Sequence, residues 1–240
     1  MNFLVLQHDR GTHPAAFLPL IEAAGHRVIT VELDEGEPLP PLDGIDALWV
    51  MGGAMDVFEE DKYPWLIAEK ALIREAVIDR GLPYFGICLG HQLLADALGG
   101  ACAYGGVETG VCDVSPLPGA DLFDGMSAPF PVAQWHGVQV TALPETATLI
   151  ATSPVCHVQA IRVGPRAFSM QSHPEVLPGT IGHWAQMPSA AAILDREIGP
   201  GGAQIFEAQV TENAEIFAPN ARHLFTNWCR AAGIPSEPLS

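Results

Sequence analysis

The chain is short of positive charge. Its 240 residues carry 11 Lys plus Arg, only two of them Lys, against 28 Asp plus Glu, for a formal net charge of −17. Such a surface repels nucleic-acid phosphates and anionic lipid, so nucleic-acid and membrane-surface roles are disfavoured. No apolar run approaches the length of a bilayer span. The opening MNFLVLQHDRG has neither a basic flank nor a long apolar stretch, and reads as a strand rather than a leader. Cysteines are few and odd in number: Cys88, Cys102, Cys112, Cys156 and Cys229, with no C-x-x-C spacing. Neither a disulfide framework nor a metal site is expected, and a reducing cytoplasm is the expected location. No G-x-x-x-x-G-K-[ST] string is present, so the chain carries no ATP site of that type. Internal repeats and low-complexity tracts are also missing. With 48% hydrophobic residues, the composition is that of a chain with a sizeable core, most simply one domain.

The first hundred residues alternate between two periodicities. Apolar runs at Asn2–Gln7, Arg27–Leu33, Ile45–Met51 and Leu82–Ile87 predict strands. Pro14–Ala24, Pro64–Arg80 and Leu89–Leu98 predict helices, closed by glycines at 25 and 99. This rhythm means βαβ units and a parallel sheet covered on both faces, with ligands beyond the carboxyl ends of the strands. His8, Gly52-Gly53 and Cys88 fall at such ends. Residues 102–171 predict short β segments, and residues 180–232 predict helices broken near Gly199–Gly202 and Pro219.

Phe85-Gly86-Ile87-Cys88-Leu89-Gly90-His91-Gln92 places G-x-C-x-G between a strand and a helix, the thiol form of a nucleophile elbow. The sharp turn strains the central residue and leaves no room for side chains two positions before and after it. The sulfur then sits at a helix N-terminus, which favours thiolate, and the Leu89 N–H can donate to an oxyanion. A thiolate needs a base and the base an orienter. Among nine histidines, His173 in Ser172-His173-Pro174-Glu175 stands apart. Pro174 biases it toward extended geometry, in which Glu175 faces the same side. Gly52-Gly53 is read either as the second half of an oxyanion hole or as a plain turn. The acidic run Glu59-Glu60-Asp61 is read either as a solvated loop or as an attractor for a substrate ammonium.

The ordered set Gly52-Gly53, Gly86 to Gln92 and His173-Pro174-Glu175 resembles the class I glutamine amidotransferases, and within them the free-standing branch related to the amidotransferase domain of GMP synthase. Met51-Gly52-Gly53-Ala54-Met55-Asp56-Val57, Tyr63-Pro64-Trp65-Leu66, Gln92 to Gly100 and Gln134-Trp135-His136-Gly137 carry the narrower likeness, which runs to about Val176. The resemblance implies a flavodoxin-like α/β fold with a more β-rich second half, a family core over 1–178 and a helical extension over 179–240. It implies a Cys88-His173-Glu175 triad, oxyanion donors at Gly53 and Leu89, and substrate contacts at Gly52, Gln92, Glu108, His136 and Gly137, without cofactor or metal. The chain departs from the usual family pattern at Ala54, Val138 and Ser172, and Val138 and Ser172 are expected to reshape the pocket. The activity implied is hydrolysis of a γ-glutamyl amide through a thioester on Cys88, the substrate being glutamine, a γ-glutamyl peptide or a γ-glutamylated amine. Two alternatives stand beside it: a glutaminase subunit delivering ammonia to a separate synthase chain, and a non-catalytic binding or regulatory module on the same fold.

Overall fold

The computed structural model describes residues 1–187 and 189–237. Pro188, inside the expected helical stretch, and the last three residues lie outside the described residues. Strands β1 (Asn2–Gln7), β2 (Arg27–Glu32), β3 (Ala47–Val50) and β4 (Tyr84–Ile87) pair in parallel in the order β2-β1-β3-β4. Strand β9 (Ala167–Met170) returns from far along the chain to lie parallel beside β4. Beyond it β8 (Ala160–Val163), β7 (Ala147–Thr152), β5 (Ala101–Pro116) and β6 (Phe130–Ala142) run antiparallel, giving a mixed nine-stranded sheet. The flavodoxin-like order is therefore present, and the β-rich second half extends it on one side.

Alternate residues of one strand enter different cores. Phe3, Val5 and Trp49 pack with Ile21 of α1 (Leu18–Ala23) and with Leu224, Phe225 and Trp228 of α7 (Ala214–Ala232). Leu4, Leu6, Leu48 and Val50 pack with Leu66 and Ile73 of α2 (Trp65–Arg74) and with Leu93 and Leu94 of α3 (Leu89–Ala97). Burial on both faces explains why these strands read as continuous apolar runs rather than alternating ones. The indole of Trp228 donates to the Tyr84 carbonyl at 2.9 Å and meets Trp49 edge-on at 5.3 Å between ring centroids. Part of the C-terminal extension is thus integral to the sheet's core.

Two expectations change. Residues 102–171 are not all short segments: β5 and β6 are 16 and 13 residues long and form one hairpin. Gly105 and Gly106 fall in a register shift between Tyr104 and Glu108, so they mark a bulge in a continuous strand, not its end. Nor does Pro219 break the last helix, which runs through it. The break lies at Asn213, whose φ of −97° and ψ of 5° end α6 (Gly202–Glu212) and begin α7. The buried stripe of Phe217, Ala221, Leu224, Phe225 and Trp228 holds α7 together despite the bond that Pro219 cannot make. The expected break at Gly199–Gly202 is present, between α5 (Ala190–Glu197) and α6.

Trp228 is fully buried, so Trp228→Ala is expected to cost about 3–5 kcal/mol of folding stability. Urea unfolding measures this, and a loss below about 1 kcal/mol would contradict the packing role of α7.

Candidate active site

Strand β4 delivers Cys88 into a turn with φ 51° and ψ −102°, and α3 starts at the next residue. The flanking glycines are needed for contacts beyond the turn itself. A Cβ on Gly86 would come within 2.7 Å of the Gly90 carbonyl oxygen, and one on Gly90 would run into the Val50 carbonyl of the neighbouring strand. The strained residue is pinned by its own N–H, which donates to the Met170 carbonyl at the end of β9 at 2.8 Å.

The same strand end brings His173. Its N–H donates to the Ala133 carbonyl of β6 at 2.8 Å, which holds the segment after β9 against the hairpin. His173 Nδ1 lies 2.7 Å from Glu175 Oε1, and the Cys88 side chain and this ring line the same cleft. Burial works against charge on this imidazole, but its neighbours, the Glu175 carboxylate first and Cys88 after it, outweigh it and push His173 up to about 10. The ring therefore rests as an imidazolium at neutral pH, the electrostatic partner that favours a thiolate. Burial drives the other thiols away from ionisation: Cys102, Cys156 and Cys229 are pushed up to about 12, and Cys112 is raised. These four are core or wall residues at neutral pH.

Gly52 and Gly53 follow β3 beside the elbow. Gly52 makes room for the histidine: a Cβ there would lie 3.1 Å from His173 Cε1 and 3.6 Å from Cys88 Cβ. Gly53 and Leu89 line the cleft next to Cys88. The Leu89 N–H, at the first position of α3, has no intrahelical acceptor. The acidic run after the glycines is turned elsewhere: Glu59 bonds the Asp56 N–H and Glu60 pairs with Lys70.

The residues expected at the glutamyl end divide. Gln92, His136, Gly137 and Val138 line the cleft. Gln92 Nε2 donates to the Val138 carbonyl at 3.0 Å and to Gln171 Oε1 at 3.2 Å. The imidazole of His136 is almost entirely buried, with Nε2 3.1 Å from Glu108 Oε2. Glu108 does not reach the cleft: it stands behind His136 and also accepts from Ser153 Oγ at 2.7 Å and Gln159 Nε2 at 2.6 Å. Glu108, His136 and Cys156 lie close enough to suggest a metal cluster. Among the described residues, His136 Nε2 and Glu108 Oε2 face each other, Glu108 also accepts from Ser153 and Gln159, and the Cys156 thiol is directed to the Val158 carbonyl. Ser172, fully buried, carries a hydroxyl without a partner among the described residues.

Sequence reasoning missed Gln171, whose Nε2 approaches Cys88 Sγ at 3.6 Å. The signal was available, because in the extended segment before Pro174 residues 171 and 173 share a side. It also left open what the C-terminal helices do. Trp184 of α4 (Thr180–Trp184) packs edge-on against the His173 ring, and Ala190, Ile193, Arg196 and Glu197 of α5 form one wall of a cleft of about 400 Å³ that contains Cys88 and His173. Thr109 Oγ1 ties Glu197 to β5 at 2.7 Å.

The family model for class-I glutamine amidotransferases matches residues 19–185. The chain belongs to that family. The chain is 32% identical over 183 residues to the glutamine amidotransferase-like protein YfeJ of Salmonella typhimurium, a match covering 73% of this chain and 75% of that one. It is 37% identical over 133 residues to the GMP synthase (glutamine-hydrolyzing) of Mycolicibacterium paratuberculosis, covering 55% of this chain but only 24% of the synthase. A glutamine amidotransferase from Thermotoga maritima superposes with a TM-score of 0.85 at 26% identity, over 97% of this chain and 98% of that one. The superposition extends past residue 185, where the family model ends, so the C-terminal helices have structural counterparts. Among the described residues no helix is long and apolar enough to cross a membrane.

His173 titrates at about 10 in the fold against an ordinary 6.5. A raised value stabilises the fold fully below the unfolded value, and the contribution is lost as pH rises through the folded one. The stability advantage of the wild type over His173→Gln is thus expected to shrink between about pH 6.5 and 10. Urea midpoints of both proteins across that window measure it, and an advantage independent of pH would contradict the imidazolium.

Proposed function

We propose that the protein hydrolyses a γ-glutamyl amide through a thioester on Cys88. The arrangement that supports this reading is a strained cysteine at a helix N-terminus, facing a His173–Glu175 pair in a cleft. Cys88 attacks the γ-carbonyl carbon, and the developing oxyanion accepts hydrogen bonds from the Gly53 and Leu89 N–H groups. His173 gives its proton to the nitrogen as the C–N bond breaks, so the amine leaves neutral and a γ-glutamyl thioester remains. A water molecule then loses a proton to His173 and attacks the thioester. Glutamate departs, and the thiolate and imidazolium are restored. Glu175 accepts the Nδ1–H throughout, keeping the other ring nitrogen turned to sulfur and water.

The cleft, of about 400 Å³ and bounded by α5, is of a size for a γ-glutamyl group with a modest leaving amine. The sequence carries no G-x-x-x-x-G-K-[ST] string to bind ATP and activate an ammonia acceptor, which favours γ-glutamyl compounds other than glutamine. Delivery of ammonia to a separate synthase is the second reading. It is prompted by one subunit of the GMP synthase (glutamine-hydrolyzing) of Thermoplasma acidophilum, 29% identical over 62% of this chain and 71% of that relative.

The test is glutamate release from a panel of γ-glutamyl amides by the purified chain alone. Turnover without a partner is expected; turnover that appears only on adding a synthase chain would favour the second reading. Cys88→Ala should abolish release while leaving the fold intact, and Glu175→Gln should retain about 10–100 times more turnover than His173→Ala. Release that survives Cys88→Ala, or a Cys88 that iodoacetamide does not modify preferentially, would overturn the assignment in favour of other chemistry or a non-catalytic module.

A further inference from the structure

A buried histidine–carboxylate pair lies beside the glycine loop. His8, the residue after β1, and Glu69 of α2 are both fully enclosed, and His8 Nε2 stands 2.9 and 3.1 Å from the two Glu69 oxygens. His8 Nδ1 lies 3.0 Å from the Gly52 carbonyl oxygen. A carbonyl only accepts, so Nδ1 must carry a proton and donate it. Burial opposes charge on the ring, but Glu69 more than offsets it, with the Gly52 bond and Asp34 adding to the same effect, so His8 is raised. Removing two charges from water is a poor way to stabilise a fold. The proposed chemistry does not touch His8, yet its side chain is aimed at one atom of the loop.

That atom sets the direction of another. The Gly52–Gly53 peptide is trans, so its C=O and N–H point in opposite directions. Glycines on both sides of a peptide give it wide freedom to turn over. With the Gly52 oxygen held by His8, the Gly53 N–H is directed away from the buried pair. His8 also packs so closely that a Cβ on Gly53 would lie 2.8 Å from His8 Cβ, and on the cleft side the same Cβ would lie 2.9 Å from Leu89 Cδ2. We infer that His8, held in place by Glu69, is a positioning residue that locks the Gly52–Gly53 peptide with its N–H presented to the oxyanion. The inference rests on the thioester reading above. It assigns to a side chain outside the cleft the preorganisation of one of the two oxyanion donors.

The test uses paired variants, because His8→Leu alone would strand Glu69 as an uncompensated buried charge. His8→Leu/Glu69→Met removes the donor and the charge together. His8→Asn/Glu69→Gln keeps a donor near the position of Nδ1 without charge. With γ-glutamyl p-nitroanilide as substrate, the Leu/Met pair is expected to lose about 10²-fold in kcat with little change in KM. The Asn/Gln pair should recover most of that loss. Alkylation of Cys88 by iodoacetamide, which needs no oxyanion hole, should proceed at the wild-type rate in both. An unchanged kcat in the Leu/Met pair, or alkylation falling in step with kcat, would overturn the positioning role. Absence of turnover in the wild type would instead count against the thioester reading. A crystal structure of the Leu/Met pair decides the inference even then: a reoriented Gly52–Gly53 peptide is expected, and one left as in the wild type refutes it.

Discussion

Cys88 is held at φ 51° and ψ −102°, a conformation that costs a non-glycine residue about 1–3 kcal/mol and persists only where surrounding structure enforces it. The enforcement is visible on every side. Val50 of β3 closes on Gly90, Gly90 closes on Gly86, and the Met170 carbonyl of β9 holds the Cys88 N–H. Three adjacent strand ends therefore meet at one residue. The glycine pattern around the cysteine is thus a consequence of sheet packing as much as of turn geometry.

Strand order determines what meets the sulfur. Because β9 lies parallel to β4, with Ile87 opposite Met170, both strands finish at the same edge, and the residues just beyond them are neighbours although 85 positions separate Cys88 from His173. Gly52, just after β3, leaves the gap that the His173 ring fills. The C-terminal helices complete the enclosure: α4 backs the ring with Trp184, α5 walls the cleft, and α7 covers the opposite face of the sheet. The positively charged ring and the carboxylate behind it are buried together, so their interaction is little screened by solvent.

Much of this was legible in the sequence where the signal was local. The βα rhythm up to Leu98, the elbow and the i, i+2 relation of His173 to Glu175 are short-range patterns with direct physical readings. What escaped depended on distant partners. Glu108 reads as a cleft residue by resemblance, but the hairpin sets it opposite His136, where it is buried against Ser153 and Gln159. The continuity of β5 through Gly105 and Gly106 is hidden because a bulge and a turn use the same residue. Pro219 looks like a helix stop because the sequence does not display the buried face that outweighs it. The pairing of His8 with Glu69 joins residues 61 positions apart, and nothing in either neighbourhood announces it.

The covalent intermediate is the most direct thing to observe. Quenching the protein in acid within milliseconds of mixing with a γ-glutamyl amide, then mapping its peptides by mass spectrometry, should find the γ-glutamyl group on Cys88, appearing before glutamate accumulates and decaying with it. Glutamate released at full rate while Cys88 stays unmodified at every time point would contradict catalysis through this thiol.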